Sequence, residues 1–173
     1  EQTVCTITLG ECMKAQNLPA SYLPIWIFFK LPLLILFGLI YFIYKEKSIF
    51  SSTKNILTIA PLLISSFSII FLLILFNVNL YDEIRQVMFL IPIFFIISMS
   101  ALFALPNKLS FVLLCFFILF FFYQNIKIYP YNYVWLNNLT NFTGINNKFE
   151  LDYWGVSSKE IASFINQESL DEN

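Results

Sequence analysis

The run Phe111-Val112-Leu113-Leu114-Cys115-Phe116-Phe117-Ile118-Leu119-Phe120-Phe121-Phe122-Tyr123 carries no charge and is apolar on every side. A helix made of it has no polar face to turn towards water, so lipid is its natural surrounding. It forms the centre of an apolar stretch at 109–126, and three more occur at 24–44, 56–76 and 87–105. Each approaches the ~20 residues a helix needs to cross a hydrocarbon core of ~30 Å. The reading is an all-α polytopic membrane protein. Residues 22–128 form a four-helix transmembrane region, residues 1–21 a polar segment before it, and residues 129–173 a tail.

Composition agrees. Hydrophobic residues make up 58% of the chain and charged residues 12%, with 21 Phe. An ordinary soluble domain carries roughly twice that charged share. The net charge of -1 offers no global field for nucleic acid. Histidine is absent, which removes the commonest metal ligand and the commonest general acid–base. Any chemistry falls to carboxylates, Arg, Lys, Tyr or backbone. The first twenty residues lack the pattern of a signal peptide. Since the chain starts at Glu1, it reads as a piece of a longer protein.

Cys115 reads as a small buried apolar residue, and no Cys-x-x-Cys is present. Cys5 and Cys12 lie in the polar N-terminal segment. They pair if that segment is outside the cytoplasm, or stay as two free thiols.

Charge sets the orientation. Lys45, Lys47 and Lys54 follow the first stretch, and Lys108 follows the third. The positive-inside rule places these loops in the cytoplasm. The N-terminal segment, the loop Tyr81-Asp82-Glu83-Ile84-Arg85-Gln86 and the tail then lie outside. Of eleven acidic residues, only Glu46 falls on the inner side.

Within the stretches, Pro32 and Pro61 should kink any helix that contains them. Lys30 either snorkels to the interface or faces a polar cavity and meets an anion. Ser65, Ser66 and Ser68 in the second stretch read as helix-packing residues. The short link Pro106-Asn107-Lys108 makes an antiparallel hairpin of the third and fourth stretches.

The outer loop has two readings. Asp82, Glu83 and Arg85 are either a solvated cluster or a phosphate site. Arg85 lies at the first turn of the third helix, where a guanidinium captures phosphate well and a helix N-terminus adds positive charge. Asp82 or Glu83 could orient Arg85 or bond a sugar hydroxyl.

The tail begins with an aromatic interfacial segment, Tyr129-Pro130-Tyr131-Asn132-Tyr133-Val134-Trp135-Leu136-Asn137. Residues 138–148 read as loop, with two weak glycosylation sequons at Asn138 and Asn141. Phe149-Glu150-Leu151-Asp152-Tyr153-Trp154-Gly155 follows. A short amphipathic helix comes next, with Ser157 and Glu160 at capping-box spacing and Ile161, Phe164 and Ile165 as its apolar face.

Tyr81, Asp82, Arg85, Phe89, Leu90 and Pro92 form a pattern that resembles a bacterial group of polytopic glycosyltransferases. These are similar to the dolichyl-phosphate-mannose–protein mannosyltransferase family (family 39, GT-C fold). The segments 129–137 and 149–155 follow in the group's order, and Leu18-Pro19-x-x-Tyr22-x-Pro24-x-Trp26 resembles its segment before a membrane helix. There are departures: the group's glycine in the outer loop is Glu83 here, and its histidines are Gln86 and Tyr129.

The resemblance implies transfer of a sugar from a polyprenyl-phosphate donor to an acceptor on the outer face of a membrane, in bacteria the inner (plasma) membrane. It implies that the catalytic base lies in an outer loop upstream of Glu1, so this piece holds no catalytic residue and is inactive alone. Donor binding would involve Arg85, Asp82, Tyr81, Glu83 and Lys30. The outer-face motif would comprise Tyr131, Tyr133, Asn137, Glu150, Asp152, Tyr153 and Trp154. Some members of the wider fold use a divalent metal, but no metal-ligand spacing is evident here. Two other classes remain open: a transporter or channel subunit, for which no inverted repeat is visible, and a non-catalytic membrane scaffold.

Overall fold

A computed structural model describes residues 5–51, 53–80, 83–151, 155, 158 and 161–165. Among them the chain is mostly helical. Its elements are strands β1 (Cys5–Thr8) and β2 (Glu11–Lys14) and helices α1 (Tyr22–Lys30), α2 (Leu33–Ile49), α3 (Thr53–Leu75), α4 (Leu90–Leu102), α5 (Asn107–Ile128) and α6 (Leu139–Phe142). Single 3-10 turns lie at Arg85–Val87, Asn132–Val134 and Asn146–Lys148.

The strands add a small β-hairpin to the all-α expectation. Leu9 and Gly10 both have positive φ, 54° and 89°, which suits a two-residue hairpin turn. The register sets Cys5 opposite Lys14 and Thr8 opposite Glu11. Cys5 and Cys12 are disulfide-bonded across it, which decides between the two readings of these thiols.

Two helices are long and apolar enough to cross a membrane, Asn55–Leu75 and Asn107–Ile128. Only 11% and 6% of their most apolar windows are buried in protein, so most of their apolar surface is left for lipid. Pro61 stays inside the continuous α3. A third candidate is the pair α1 and α2, and here the structure departs from the expected single helix at 24–44. The pair bends by 113° at residues 31–32. Pro32 is the cause: it lacks an N–H and drives Leu31 into an extended conformation, φ −80° and ψ 133°. The stretch at 87–105 also departs from expectation. Its helix, α4, has only 13 residues. Pro92 sits at its third position, and a proline ring clashes with the carbonyl four residues back, at Met88. The helix therefore starts late.

Leu31 and Ile35 share a core cluster with Leu90 and Phe94. Phe42 and Ile49 share another with Ile97 and Ala101. The pairing order shows that α2 and α4 run in the same direction. Gly38 on α2 is the point of closest approach, since a Cβ there would collide with the Ser98 hydroxyl and lie 2.9 Å from the Ser98 carbonyl oxygen. Ser98 Oγ also donates to the Leu34 carbonyl at 3.4 Å. Leu34 joins Met99 and Leu102 in a third cluster, against which Leu114 and Phe117 of α5 pack.

The end of the molecule that carries the bend is capped by hairpin and tail. Trp26 is fully buried there, donates from Nε1 to Thr8 Oγ1 at 2.9 Å, and meets the edge of Phe149 at 5.0 Å. The hairpin docks on the tail through Gly10 N–H to Lys148 O, 2.8 Å, and Glu150 N–H to Ile7 O, 2.9 Å. At residues 161–165 the chain is helical, and the expected apolar face, Ile161, Phe164 and Ile165, is exposed there like its neighbours. The capping-box residues Ser157 and Glu160 lie outside the described residues.

Candidate functional site

Lys30 ends α1, because the proline two residues on stops the helix. Its side chain is only 9% exposed, so it does not snorkel into solvent. Nζ forms an ion pair with Glu83 at 2.5 Å, donates to the Tyr133 carbonyl at 3.0 Å and lies 5.8 Å from the centre of the Trp26 ring. A buried cation needs such partners, since an unpaired charge in this setting costs several kcal/mol (order of magnitude). One ammonium thus ties together α1, the loop after α3 and the tail.

Glu83 adopts φ +63°, a left-handed conformation that disfavours residues with a Cβ. It is the position at which the resembling pattern carries glycine. Arg85 opens the 3-10 turn Arg85–Val87, and α4 begins only at Leu90. The expected help from a helix N-terminus therefore falls away, because that effect is confined to the first turn.

Lys30, Glu83, Arg85 and Tyr133 line one cleft of about 280 Å³. Asn132 adds an amide to it, and Met88, Ile91, Trp135 and Leu151 supply its apolar wall. Trp135 is locked in place by donation from Nε1 to Gln124 Oε1, 3.1 Å, and by an edge contact with Phe121 at 5.2 Å. Of the wall residues, Met88 and Ile91 carry no sequence signal beyond being apolar, while Leu151 belongs to the segment 149–155.

The other expected residues divide. Tyr131 is half-buried, with its ring 6.4 Å from that of Tyr133. Asn137 sits apart from the cleft lining and is fully buried. Its Nδ2 donates to the carbonyls of Phe28 at 2.7 Å and Leu31 at 2.9 Å, and its N–H to that of Phe29 at 2.8 Å. These are carbonyls that the end of α1 leaves without helical partners, so Asn137 is a cap supplied from more than a hundred residues away. Glu150 faces the hairpin instead of the cleft, and its carboxylate accepts from Ile7 N–H at 3.0 Å. Tyr81, Asp82, Asp152, Tyr153 and Trp154 lie outside the described residues. Among the described residues no group of three or more His, Cys, Asp or Glu could hold a metal ion.

The arrangement suits an amphiphile with an anionic head. A guanidinium offers paired donors to phosphate, and the apolar wall accepts the hydrocarbon beside it. Glu83 is engaged with Lys30. No protein-family model matches the chain, and no curated protein or solved structure matches it either.

Proposed function

We propose that this chain is part of an integral-membrane glycosyltransferase of GT-C type, which moves a sugar from a polyprenyl-phosphate donor to an acceptor on the outer face of the membrane. The observation that carries the reading is the meeting of Arg85 and Lys30 with the aromatic tail in one cleft at the bent end of the molecule. The order of motifs along the chain supports it. So does the left-handed backbone at Glu83, where the resembling pattern has the residue best suited to that conformation.

In this reading α2 to α5 cross the bilayer, α1 lies near its outer boundary, and hairpin and tail cover the outer end. The membrane is the bacterial plasma membrane, with Lys45, Lys47 and Lys108 on its inner side. A helix of 13 residues is about 20 Å long. That is short of the hydrocarbon core, and α4 is accommodated because it packs against α2 and α3. A water-insoluble donor reaches the cleft sideways from lipid. As its glycosidic bond breaks, negative charge grows on the lipid phosphate, and the fixed guanidinium of Arg85 stabilises it. The base that activates the acceptor belongs to another part of the protein.

The test is sugar transfer by the full-length protein carrying Arg85→Ala. Transfer should fall by about 100-fold or more while the thermal unfolding midpoint stays unchanged, because a donor aimed at developing charge is worth that much. Normal transfer by this variant rejects the reading of the cleft.

A further inference from the structure

The tail is held at the outer edge of β1. Ile7 donates its N–H to the Glu150 carboxylate at 3.0 Å and accepts from the Glu150 N–H at 2.9 Å, and Gly10 donates to the Lys148 carbonyl at 2.8 Å. Between these anchors Phe149 is buried, its ring 5.0 Å from that of Trp26 and 5.2 Å from that of Phe29. Leu151, next after Glu150, lines the cleft. Hairpin, tail and cleft wall are thus joined in series. The hairpin itself is small. A two-stranded hairpin is marginal on its own in water, and the Cys5–Cys12 bond closes this one across a sequence separation of 7. Closing a loop of that size favours the ordered form by roughly 50-fold in the chain-entropy model. Cys12 is exposed and Cys5 half-buried, so a reductant can reach the bond from solvent. The second and third hydrophobic clusters, which join α2 to α3, α4 and α5, include no residue of hairpin or tail. Opening of the hairpin is therefore a local event.

We infer that the Cys5–Cys12 bond is a redox-sensitive clasp, which holds residues 148–151 on the end of α1 while it is intact and frees them when it is reduced. The reductant is an external dithiol of the thioredoxin class. One of its thiolates attacks the exposed Cys12 sulfur, the Cys5–Cys12 bond breaks, and the Cys5 sulfur leaves and takes up a proton. The second thiolate then displaces Cys12 from the mixed disulfide, and Cys12 takes up a proton in turn. The chain gains an electron pair and both protons, and the dithiol becomes a disulfide. Without its closure the hairpin frays, the pairing of Ile7 with Glu150 is lost, and Leu151 is no longer held in the cleft wall. Outside the cytoplasm, where the proposed orientation puts the hairpin, the bond forms and persists until such a dithiol meets it. The clasp works through contacts between hairpin and tail, so it is independent of what the cleft binds.

The experiment follows amide hydrogen exchange in full-length protein carrying Cys115→Ser, in detergent micelles, by mass spectrometry of peptides covering residues 5–14, 148–151 and 90–102. The probe is dithiothreitol, a small dithiol. It should reduce the bond in the folded protein. Exchange should then quicken by about tenfold or more at 5–14 and 148–151 together, while 90–102 keeps its rate. Reoxidation should restore the slow rates. Cys5→Ser combined with Cys12→Ser should exchange fast at both segments with or without dithiothreitol, which ties the response to this bond. A bond that resists dithiothreitol in the folded protein overturns the inference, as does slow exchange in the double serine variant. Fast exchange at 5–14 with 148–151 still protected overturns it too, since the hairpin would then not be what holds the tail. An equal loss of protection at 90–102 has the same force, because the bond would then support the whole fold and not a local clasp.

Discussion

Asn137 satisfies three backbone carbonyls at the end of α1 and accepts from the Leu139 N–H at 3.1 Å through its own side-chain oxygen. All of this takes place in a fully buried position. Removing one partner of a buried hydrogen bond exposes the other to the full cost of desolvation, about 1–3 kcal/mol each. Asn137→Ala should therefore lower stability by about 3 kcal/mol, read as a drop in the thermal unfolding midpoint of the solubilised protein. Asn137→Asp has nearly the same shape, yet it should be at least as harmful, because a carboxylate would face the oxygens of Phe28 and Leu31 where an amide now donates. A small effect of Asn137→Asp would mean that those carbonyls find other partners. The residue was legible in the sequence as part of a motif, but its work was not. An asparagine looks the same whether it meets a ligand or a helix end, and only the fold brings the end of α1 to it.

At the scale of the element, the contact between α2 and α4 turns on Gly38. A methyl group there meets both the side chain and the carbonyl oxygen of Ser98, and the carbonyl cannot step aside without moving the helix. Small residues at such crossings allow helices to approach closely in lipid. Gly38→Ala should destabilise by about 1–3 kcal/mol, as overpacking does. Adding Ser98→Gly should recover part of the loss and leave the share due to the carbonyl. Thermal unfolding of the two single variants and the double variant measures this coupling, and strict additivity would show that the two residues do not press on each other. The apolar runs made the chain legible as mostly helical, but Pro32 reads as a kink within one helix at 24–44, whereas the chain breaks there into α1 and α2. The size of the bend was not legible, because it depends on what holds the two arms apart. Lys30 and the carbonyls of α1 are tied to Tyr133 and Asn137, and no local pattern reports a partner a hundred residues away. The hairpin is not legible for a simpler reason: its strands have four residues each, and Leu9 gives no sign that it adopts positive φ.

For the whole molecule, the decisive matter is which segments share an end. Arg85 and the tail line one cleft beside the bend, and the disulfide-bonded hairpin is hydrogen-bonded to the same tail. From there α2 leads to the turn at Phe50 and Ser51, and α3 leads back towards Leu80 and Glu83. α4 descends alongside α2 to Pro106, and α5 returns to the tail. The turn after α2 and the link before α5 thus lie at the end opposite the cleft, and they carry Lys45, Lys47 and Lys108. If the molecule crosses a bilayer, the positive-inside rule predicts that end to lie inside. In a Cys115→Ser background, single cysteines replacing the exposed residues Gln86 and Asn141 should react with an impermeant maleimide added to intact cells. Cysteines replacing Glu46 and Asn107, exposed at the other end, should react only after the membrane is opened. Cys5 and Cys12 stay silent so long as they remain bonded to each other. Labelling of all four positions with the two pairs exchanged would invert the orientation and leave the cleft whole. Labelling of Gln86 and Asn141 from opposite sides is the more serious result, since a cleft whose walls come from both segments cannot have the bilayer between them.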